Sequence, residues 1–442
     1  MTQLVQGDRQ NQRRRGSEAE AGSTVEFPLR AAGKTLRGGE GRKRSALLST
    51  NGLLLAILLL GPGCGGSGEG ESQPTYQDGG VFSAHEYSAE QLNASPQWNL
   101  ATEPTLTLGS VDGEEAFRFF RITDAIRLGD RVIVLDGGSA ELRVFHADGT
   151  HLLTSGGSGE GPGEFLFPNR LLFLARDSVA VWDSRLRRVS FFDSGGTFDR
   201  AVQIVGNFQN PDLVAVFLDG SFLFTDLRIV MPSSGVQNVP LIALRYGPEG
   251  LLADTLGIHS AGKITRSSEP PGYVAELFQS ISWLAGDRET YWVTNGEEPA
   301  LLRQNAAGDT LAAIRWEAGG RQVSVQHVAA HFGNLLTNST SESSRRRIRN
   351  IQAHTPVASQ FPAADRLLVA QTGHVWVRCF KPPIEETPQD WIIFTPSGKL
   401  VGRIQLPRTL RVLDLGGNHV LGVIRDEADV EFIQLFRIEN AL

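Results

Sequence analysis

The chain has 442 residues, with 42 Lys+Arg against 49 Asp+Glu, two cysteines and nine histidines. Residues 1 to 63 hold 10 of the basic and 5 of the acidic side chains, which leaves 32 against 44 in the remainder, a net charge of −12. That balance argues against nucleic acid and anionic lipid as partners of the folded part, and two cysteines supply no disulfide framework.

Residues 1–45 are polar, rich in Gly and Arg and without apolar periodicity, which is the composition of a disordered N-terminal extension. Around residues 46–64 the chain reads as a signal: Arg42-Lys43-Arg44, the apolar run LLSTNGLLLAILLL, then GPGC ending on Cys64. The run falls short of the about 20 apolar residues a membrane-spanning helix needs. Its order of basic, apolar, small and cysteine looks like a bacterial lipoprotein signal with Cys64 as the lipidated residue. Leu60 stands four residues before Cys64, one further than the lipobox pattern places it, so an ordinary cleaved signal or an uncleaved anchor is the alternative. Residues 65–103 open with GGSGEGESQPTYQDGG and have the composition of a flexible tether. The expectation is an exported monomer, lipid-anchored to the bacterial cell membrane or the outer membrane.

From Pro104 onward the pattern changes to paired hairpins. One family has an apolar run, a turn and a run that often closes on Asp, as in IRLGDRVIVLD, LLFLARDSVAVWD, LVAVFLDGSFLFTD, ISWLAGDRETYWVTN, LLVAQTGHVWVRC and VLDLGGNHVLGVIRD, turning near Asp130, Asp177, Gly220, Asp287, Gly373 and Gly417. A second family follows each of the first five, from RVFHADGTHLLTSG to WIIFTPSGKLVGRIQL, turning at Gly149, Gly196, Gly250, Gly308 and Gly398, where a tight reversal needs positive φ. The first-family turns are 47, 43, 67, 86 and 44 residues apart, a unit of about 45 residues with insertions in the third and fourth copies. Four strands at that period predict the blades of a β-propeller, here six blades within residues 104–438. The sixth copy ends after three strands, and PTLTLG at Pro104 to Gly109 is the unpaired alternating run predicted to complete it against Glu431 to Arg437.

Between the first two units runs GGSGEGPGEFLFPNR, containing Gly161, Gly163, Phe165 and Pro168. It resembles the inter-blade loop of NHL-type six-bladed propellers. There a glycine-rich turn leads to a buried Phe and to a Pro opening the next inner strand. Glu160 and Glu164 would repel a phosphate and no Lys-Ser/Thr follows, so the loop is read as structural. The forms Gly373 to Arg378 and IRDE near Arg425 are similar to bacterial six-bladed propeller lipoproteins of unassigned function. The third and fourth units lack the glycine-phenylalanine-proline loop.

The insertion of the fourth unit, about residues 321–360, is predicted helical from SVQHVAAHFGNLL and SESSRRRIRNIQAH. His327 and His331 are four apart, but without a following Glu or third ligand they do not form a metalloprotease pattern. Arg345, Arg346, Arg347 and Arg349 are read as a solvated helix face, with an acidic partner as the alternative. Asp136, Asp183 and Asp226 share one position at the end of a second strand, where a turn cap is preferred over calcium binding. Cys379 in VWVRCF reads as a buried thiol.

No catalytic constellation emerges, and two functions remain open. The first is a membrane-tethered module that binds or scaffolds a protein or a small polar ligand, with no cofactor. The second is a hydrolase or lyase with calcium or zinc in the central channel, as in enzymes that six-bladed propellers include. Aligning the first hairpins eight residues before their turns selects Ile122, Asn169, Asp212, Gln279, Asp365 and Thr409. With the neighbouring Arg121, Arg170, Arg366 and Arg408, the polar members are the candidates for a channel mouth suited to a polar or zwitterionic ligand or to a partner's loop.

Overall fold

The computed structural model describes residues 75–77, 80–174, 178–232, 235–268, 271–382 and 387–440, all within one compact unit formed by residues 69–442. The extension, the signal segment, Cys64 and the start of the tether lie outside the described residues. Among the described residues no helix is long and apolar enough to cross a membrane.

The fold is predominantly β and propeller-like. Ile122–Leu128, Arg131–Asp136, Glu141–His146 and His151–Gly156 pair in that order, each antiparallel to the last. Pro168–Leu174, Ser178–Asp183, Arg188–Asp193 and Phe198–Gln203 repeat the arrangement. The next set, Pro211–Val216, Phe222–Leu227, Val236–Tyr246 and Leu252–Ser268, has longer outer strands and a fifth, Pro271–Ala275, which accounts for the long third spacing. Two further sets start at Trp283–Gly286 and Ala364–Val369, and a last one comprises Arg411–Leu415, His419–Arg425 and Glu431–Glu439. Gly149, Gly196, Gly250, Gly308 and Gly398 all have φ between +77° and +95°, which explains glycine at the tip of each outer hairpin.

Apolar side chains on both faces of these sheets meet those of the neighbouring sheet, so the core is a series of inter-sheet layers. Leu135 and Leu142 pack with Phe165, Val179 and Val181, and Trp182 packs with Phe222 and Phe224. Trp292 and Ile314 pack with Val375 and Phe394, and Trp376 and Trp391 with Val412 and Val420. Another layer joins the last set to the first: Leu421, Val423, Ile433 and Leu435 pack with Ile122, Val132 and Phe145. Leu106–Leu108 lies in that layer, antiparallel to Glu431–Glu439 with Leu106 opposite Leu435 and Leu108 opposite Ile433.

The reading of residues 65–103 as a flexible tether needs correction from residue 80 onward. Gly80–Tyr87 runs parallel to Thr310–Trp316, and Gln97–Leu100 parallel to Leu400–Leu406. Between them α1, Ala89–Ala94, has a capping box made by Ser88 and Gln91. Leu92 and Trp98 are buried, and the Tyr87 hydroxyl donates to Gly398 O and accepts from Leu400 N. Isolated apolar residues in a polar stretch give no periodicity to recognise, yet each finds a pocket between sheets already formed by the rest of the chain. Two helices, α2 at Val325–Thr337 and α3 at Glu342–His354, follow the fourth set. Their base is clamped by Val323 N donating to Ser359 O and Phe361 N donating to Arg321 O.

Asp136, Asp183 and Asp226 are fully buried. The Asp183 carboxylate accepts from Leu166 N and Phe167 N through one oxygen, and from Arg185 N and Leu186 N through the other, at 2.7–3.0 Å. Asp136 accepts from Phe120 N, Arg121 N and Gly138 N. Asp226 accepts from Gln209 N, Asn210 N and Arg228 Nε. In each case donors come from the loop just before an innermost strand. In the glycine-rich loop Phe165 is buried, and Arg188 donates to the carbonyls of Glu160, Gly161 and Glu164.

Two measurements test this account. Asp183→Ala strands four amide donors and is expected to cost about 3–5 kcal/mol in denaturant unfolding. Leu108→Ala, which truncates a side chain only 1% exposed, is expected to cost about 3 kcal/mol, whereas the exposed Thr107→Ala should stay within about 0.5 kcal/mol. Equal losses for the two would remove Leu106–Leu108 from the structural core.

Candidate functional site

The first strands of the antiparallel sets converge on a cavity of about 630 Å³. One end is charged: Asp124, Arg170 and Arg366 line it, and Asp212 and Arg411 contact its groups. Further in, Leu172, Val214, Leu284, Leu368 and Leu413 form an apolar collar. Four strands repeat one pattern in register, Arg170-x-Leu172, Asp212-x-Val214, Arg366-x-Leu368 and Arg411-x-Leu413. All eight of these side chains are half-buried while the residue between each pair is buried. A period of two puts the charged and apolar partners on one side of the strand, about 7 Å apart.

Arg170 Nη2 holds Asp212 Oδ2 at 2.5 Å, and Arg378 Nε holds Asp365 Oδ1 at 2.6 Å. Arg411 donates to Ile122 O at 2.6 Å and to Thr123 O at 3.3 Å, and lies 4.0 Å from Glu431. Arg366 donates to Val412 O at 3.0 Å. No carboxylate lies within 4.0 Å of Arg366 among the described residues. Burial, with Arg378, Arg170 and Arg411 nearby, pulls the Arg366 guanidinium down to about 10 against the opposing pull of Asp124. Asp124 accepts from Leu171 N and Ala125 N, both at 3.0 Å, and burial pushes its carboxyl up to about 6 against the pull of Arg170 and Arg411. The Nε of Arg170 and the Oδ1 of Asn169 are buried without hydrogen-bond partners.

The structure brings together only part of the set selected from the sequence. Arg170 and Arg366 line the cavity, with Asp212 and Asp365 paired beside them. Arg121 instead packs over the Phe167 ring and donates to Gly137 O. Gln279 accepts from Lys263 N, against Gly262. Arg408 donates to Thr387 O and Pro382 O in the loop before the last set. The physical reason is a bulge: pairing shifts register between Ile122 and Asp124, opposite Asn169, between Leu213 and Ala215, between Ala364 and Arg366, and between Val412 and Asp414. In two strands the fixed offset of eight lands on the bulged residue itself, Asn169 or Asp365, one before the side chain that reaches the cavity. Asp124 and Arg411 stand six residues before their turns, 130 − 124 and 417 − 411, and are missed. The recurring forms RLL, RLL and RVL at residues 170, 366 and 411 were the signal that could have found Arg411.

The other candidate groups lie apart. His327 Nδ1 accepts from Ser324 N in the cap of α2 and its ring meets Phe361, while His331 packs on Phe278. Glu342 lies within 4.0 Å of Arg345 and Arg349. Burial pushes the Cys379 thiol up to about 12, so it stays protonated. Among the described residues no group of three or more His, Cys, Asp or Glu side chains is arranged to hold a metal ion.

No protein-family model and no curated protein matches the chain. Among solved structures it is similar to a Bacteroides fragilis protein described as exported, at 10% identity over 81% of this chain and 100% of that one, with a TM-score of 0.44. It is similar to the calcium-binding protein regucalcin of Agrobacterium tumefaciens, at 9% identity over 77% and 96% of the two chains, with a TM-score of 0.36. A third likeness is to catalytically inactive virginiamycin B lyase of Staphylococcus aureus with quinupristin, at 9% identity over 74% and 87%, with a TM-score of 0.32.

The raised Asp124 carboxyl has a consequence for stability. Its contribution is fully present below the unfolded value of about 4 and is lost as pH rises through about 6. Relative to Asp124→Asn, the wild type is expected to lose on the order of 2–3 kcal/mol between pH about 4 and about 7. Denaturant midpoints of both proteins at the two pH values check this, and parallel profiles would count against an elevated Asp124.

Proposed function

We propose that the chain is an exported six-bladed β-propeller, tethered to a bacterial membrane through Cys64, that acts as a binding or scaffolding module with its ligand or partner loop seated in the central channel. Six successive antiparallel sets support the blade count. The apolar layer that joins the last set to the first, with Val423 and Ile433 against Ile122 and Val132, supports ring closure. The helices α2 and α3 are assigned as an insertion between blades four and five. Export and lipidation rest on the order of residues 42–64, and no cofactor is assigned.

The observation that carries the binding role is the cavity itself. A concave space of about 630 Å³, lined by polar and apolar surface in about equal measure with arginines gathered at one end, is the form of a site that holds a small molecule or an inserted side chain. Pairing Arg170 with Asp212 and Arg378 with Asp365 fixes the charged end without ligand. Such an end is preorganised.

Leu368→Trp fills the collar and is expected to abolish binding of the small molecules or peptides that native mass spectrometry finds on the wild type, while the melting temperature stays within a few degrees. Unchanged binding would move the site out of the channel. A stoichiometric, tightly held calcium or zinc in the purified protein would replace this reading with a metal-dependent hydrolase or lyase. For the tether, Cys64→Ser is expected to shift the protein from the membrane to the soluble fraction, and an unmodified Cys64 in wild-type protein would end the lipid-anchor reading.

A further inference from the structure

We propose that the charged end of the channel is a carboxylate site, with Arg366 as the group that receives the anion and the leucine collar as the seat of the ligand's apolar body. This rests on the channel reading above and names the chemistry that the channel selects.

At the arginine-bearing end of the cavity, whose lining elsewhere includes Asp287, Arg288, Glu289 and Asp414, the pairing of charges leads to Arg366. Four guanidinium groups, those of Arg170, Arg366, Arg378 and Arg411, gather at one end. Asp212 pairs with Arg170 and Asp365 with Arg378. Glu431 faces Arg411 at 4.0 Å but is held closer, at 2.9 Å, by Arg425. Asp124 stands between Arg170 and Arg411 with both its oxygens engaged by backbone amides. Arg366 alone of the four has a backbone carbonyl and no carboxylate as its partner among the described residues. A guanidinium has five donors in a planar fork, and one bond to Val412 O leaves most of them unused at the cavity wall.

The second feature is what lies beneath. Leu368 follows Arg366 on the same side of the strand, and Leu172, Val214, Leu284 and Leu413 complete the collar about 7 Å from the charged layer. A hydrated phosphate gains nothing from such a floor. A carboxylate carrying a short apolar chain satisfies both levels, with two parallel N–H···O bonds to the fork and its methylenes on the collar. A single guanidinium with no carboxylate in contact also matches one negative charge better than two.

Asp124 would tune this site. The groups facing it are Arg170, Arg366 and Arg411, with Asp212 behind Arg170 and Glu431 behind Arg411. Protonating Asp124 removes a negative charge from a cluster whose guanidinium groups stay ionised, so an anion is held more tightly as pH falls through about 6.

The test uses the purified full chain, with hexanoate, hexanol and inorganic phosphate as probes in isothermal titration calorimetry. Hexanoate is expected to bind, Arg366→Gln to weaken it by about 10- to 100-fold, and Arg366→Lys to recover part of that loss. Phosphate is expected to bind at least about tenfold more weakly than hexanoate. Hexanoate binding should tighten from about pH 7.5 to about pH 5.5 in the wild type and lose that dependence in Asp124→Asn. Circular dichroism of each variant establishes that it is folded. Hexanol binding as tightly as hexanoate, or hexanoate binding unaffected by Arg366→Gln, would overturn the carboxylate inference while leaving the channel as a binding site. Phosphate binding more tightly than hexanoate, with Leu368→Trp without effect, would also overturn it. If no probe binds and Leu368→Trp leaves native ligands in place, the inference and the channel reading both fall.

Discussion

A buried carboxylate surrounded by amide donors recurs in the first three antiparallel sets, and the placement of the innermost strands depends on it. Asp136, Asp183 and Asp226 each close the second strand of a set and each accept from two consecutive amides in the loop that leads into the first strand. Moving an ionised carboxylate out of water is unfavourable by many kcal/mol unless donors replace the lost hydration. The loop therefore has one position in which every Asp oxygen is satisfied, and that position fixes where the inner strand begins. The fourth set keeps only a local cap after its second strand. Asn295 accepts from Glu297 N and Glu298 N, and Thr294 from Gly296 N. At the junction of last and first sets Glu431 takes over, accepting from Ile122 N at 2.6 Å. The turn-cap role expected for the three Asp residues is thus larger than a local cap, because it couples strand ends 16 or 17 residues apart.

The hairpins were legible in the sequence because their signals are local. A glycine at positive φ between two alternating apolar runs needs no knowledge of the rest of the chain, and Gly149 through Gly398 behave alike for that reason. Long-range events were legible only where an imbalance exposed them, as with three strands at the C-terminus and a spare alternating run at Leu106–Leu108. The segment from Gly80 to Leu100 gave no such imbalance. Its strands pair parallel to outer strands that already have one partner, and its apolar content is spent on Leu92, Trp98 and a few neighbours. The candidate site was half legible. Counting from turns identified the right end of each inner strand, but the bulges at Asn169 and Asp365 shifted the residue that reaches the cavity by one. Arg170 and Arg366 entered the set as neighbours, while Asp124 and Arg411 were missed.

Those bulges are where fold and site meet. An extra residue in a strand forfeits a ladder hydrogen bond and adds local twist, and five innermost strands carry one, at Thr123, Asn169, Val214, Asp365 and Leu413. At Asn169 and Asp365 the residue after the bulge, Arg170 or Arg366, is the one that lines the cavity. From the last set the Arg411 guanidinium reaches the carbonyls of Ile122 and Thr123, at the bulge of the first. The charged layer is therefore cross-linked between strands by arginines, and its geometry is inherited from the clasped loops outside it.

Arginines gather at one end of the cavity, within a chain whose summed charge is acidic. Residues 64 to 442 carry a net −12, and a field summed over that whole surface would repel an anion. At physiological ionic strength such surface charges are screened over about 8 Å, whereas groups within a partly enclosed cavity are screened far less. At one end Arg170, Arg366, Arg378 and Arg411 gather around Asp124, Asp212 and Asp365, with Glu431 shared between Arg411 and Arg425, while Asp287, Glu289 and Asp414 belong to the rest of the lining. Surface repulsion then acts on the rate at which an anion arrives, and the guanidinium groups act on how long it stays. An acidic exterior with an arginine cluster inside the cavity discriminates by depth: a polyanion meets the unfavourable surface along its whole length, while a small monoanion meets it over a short path to Arg366.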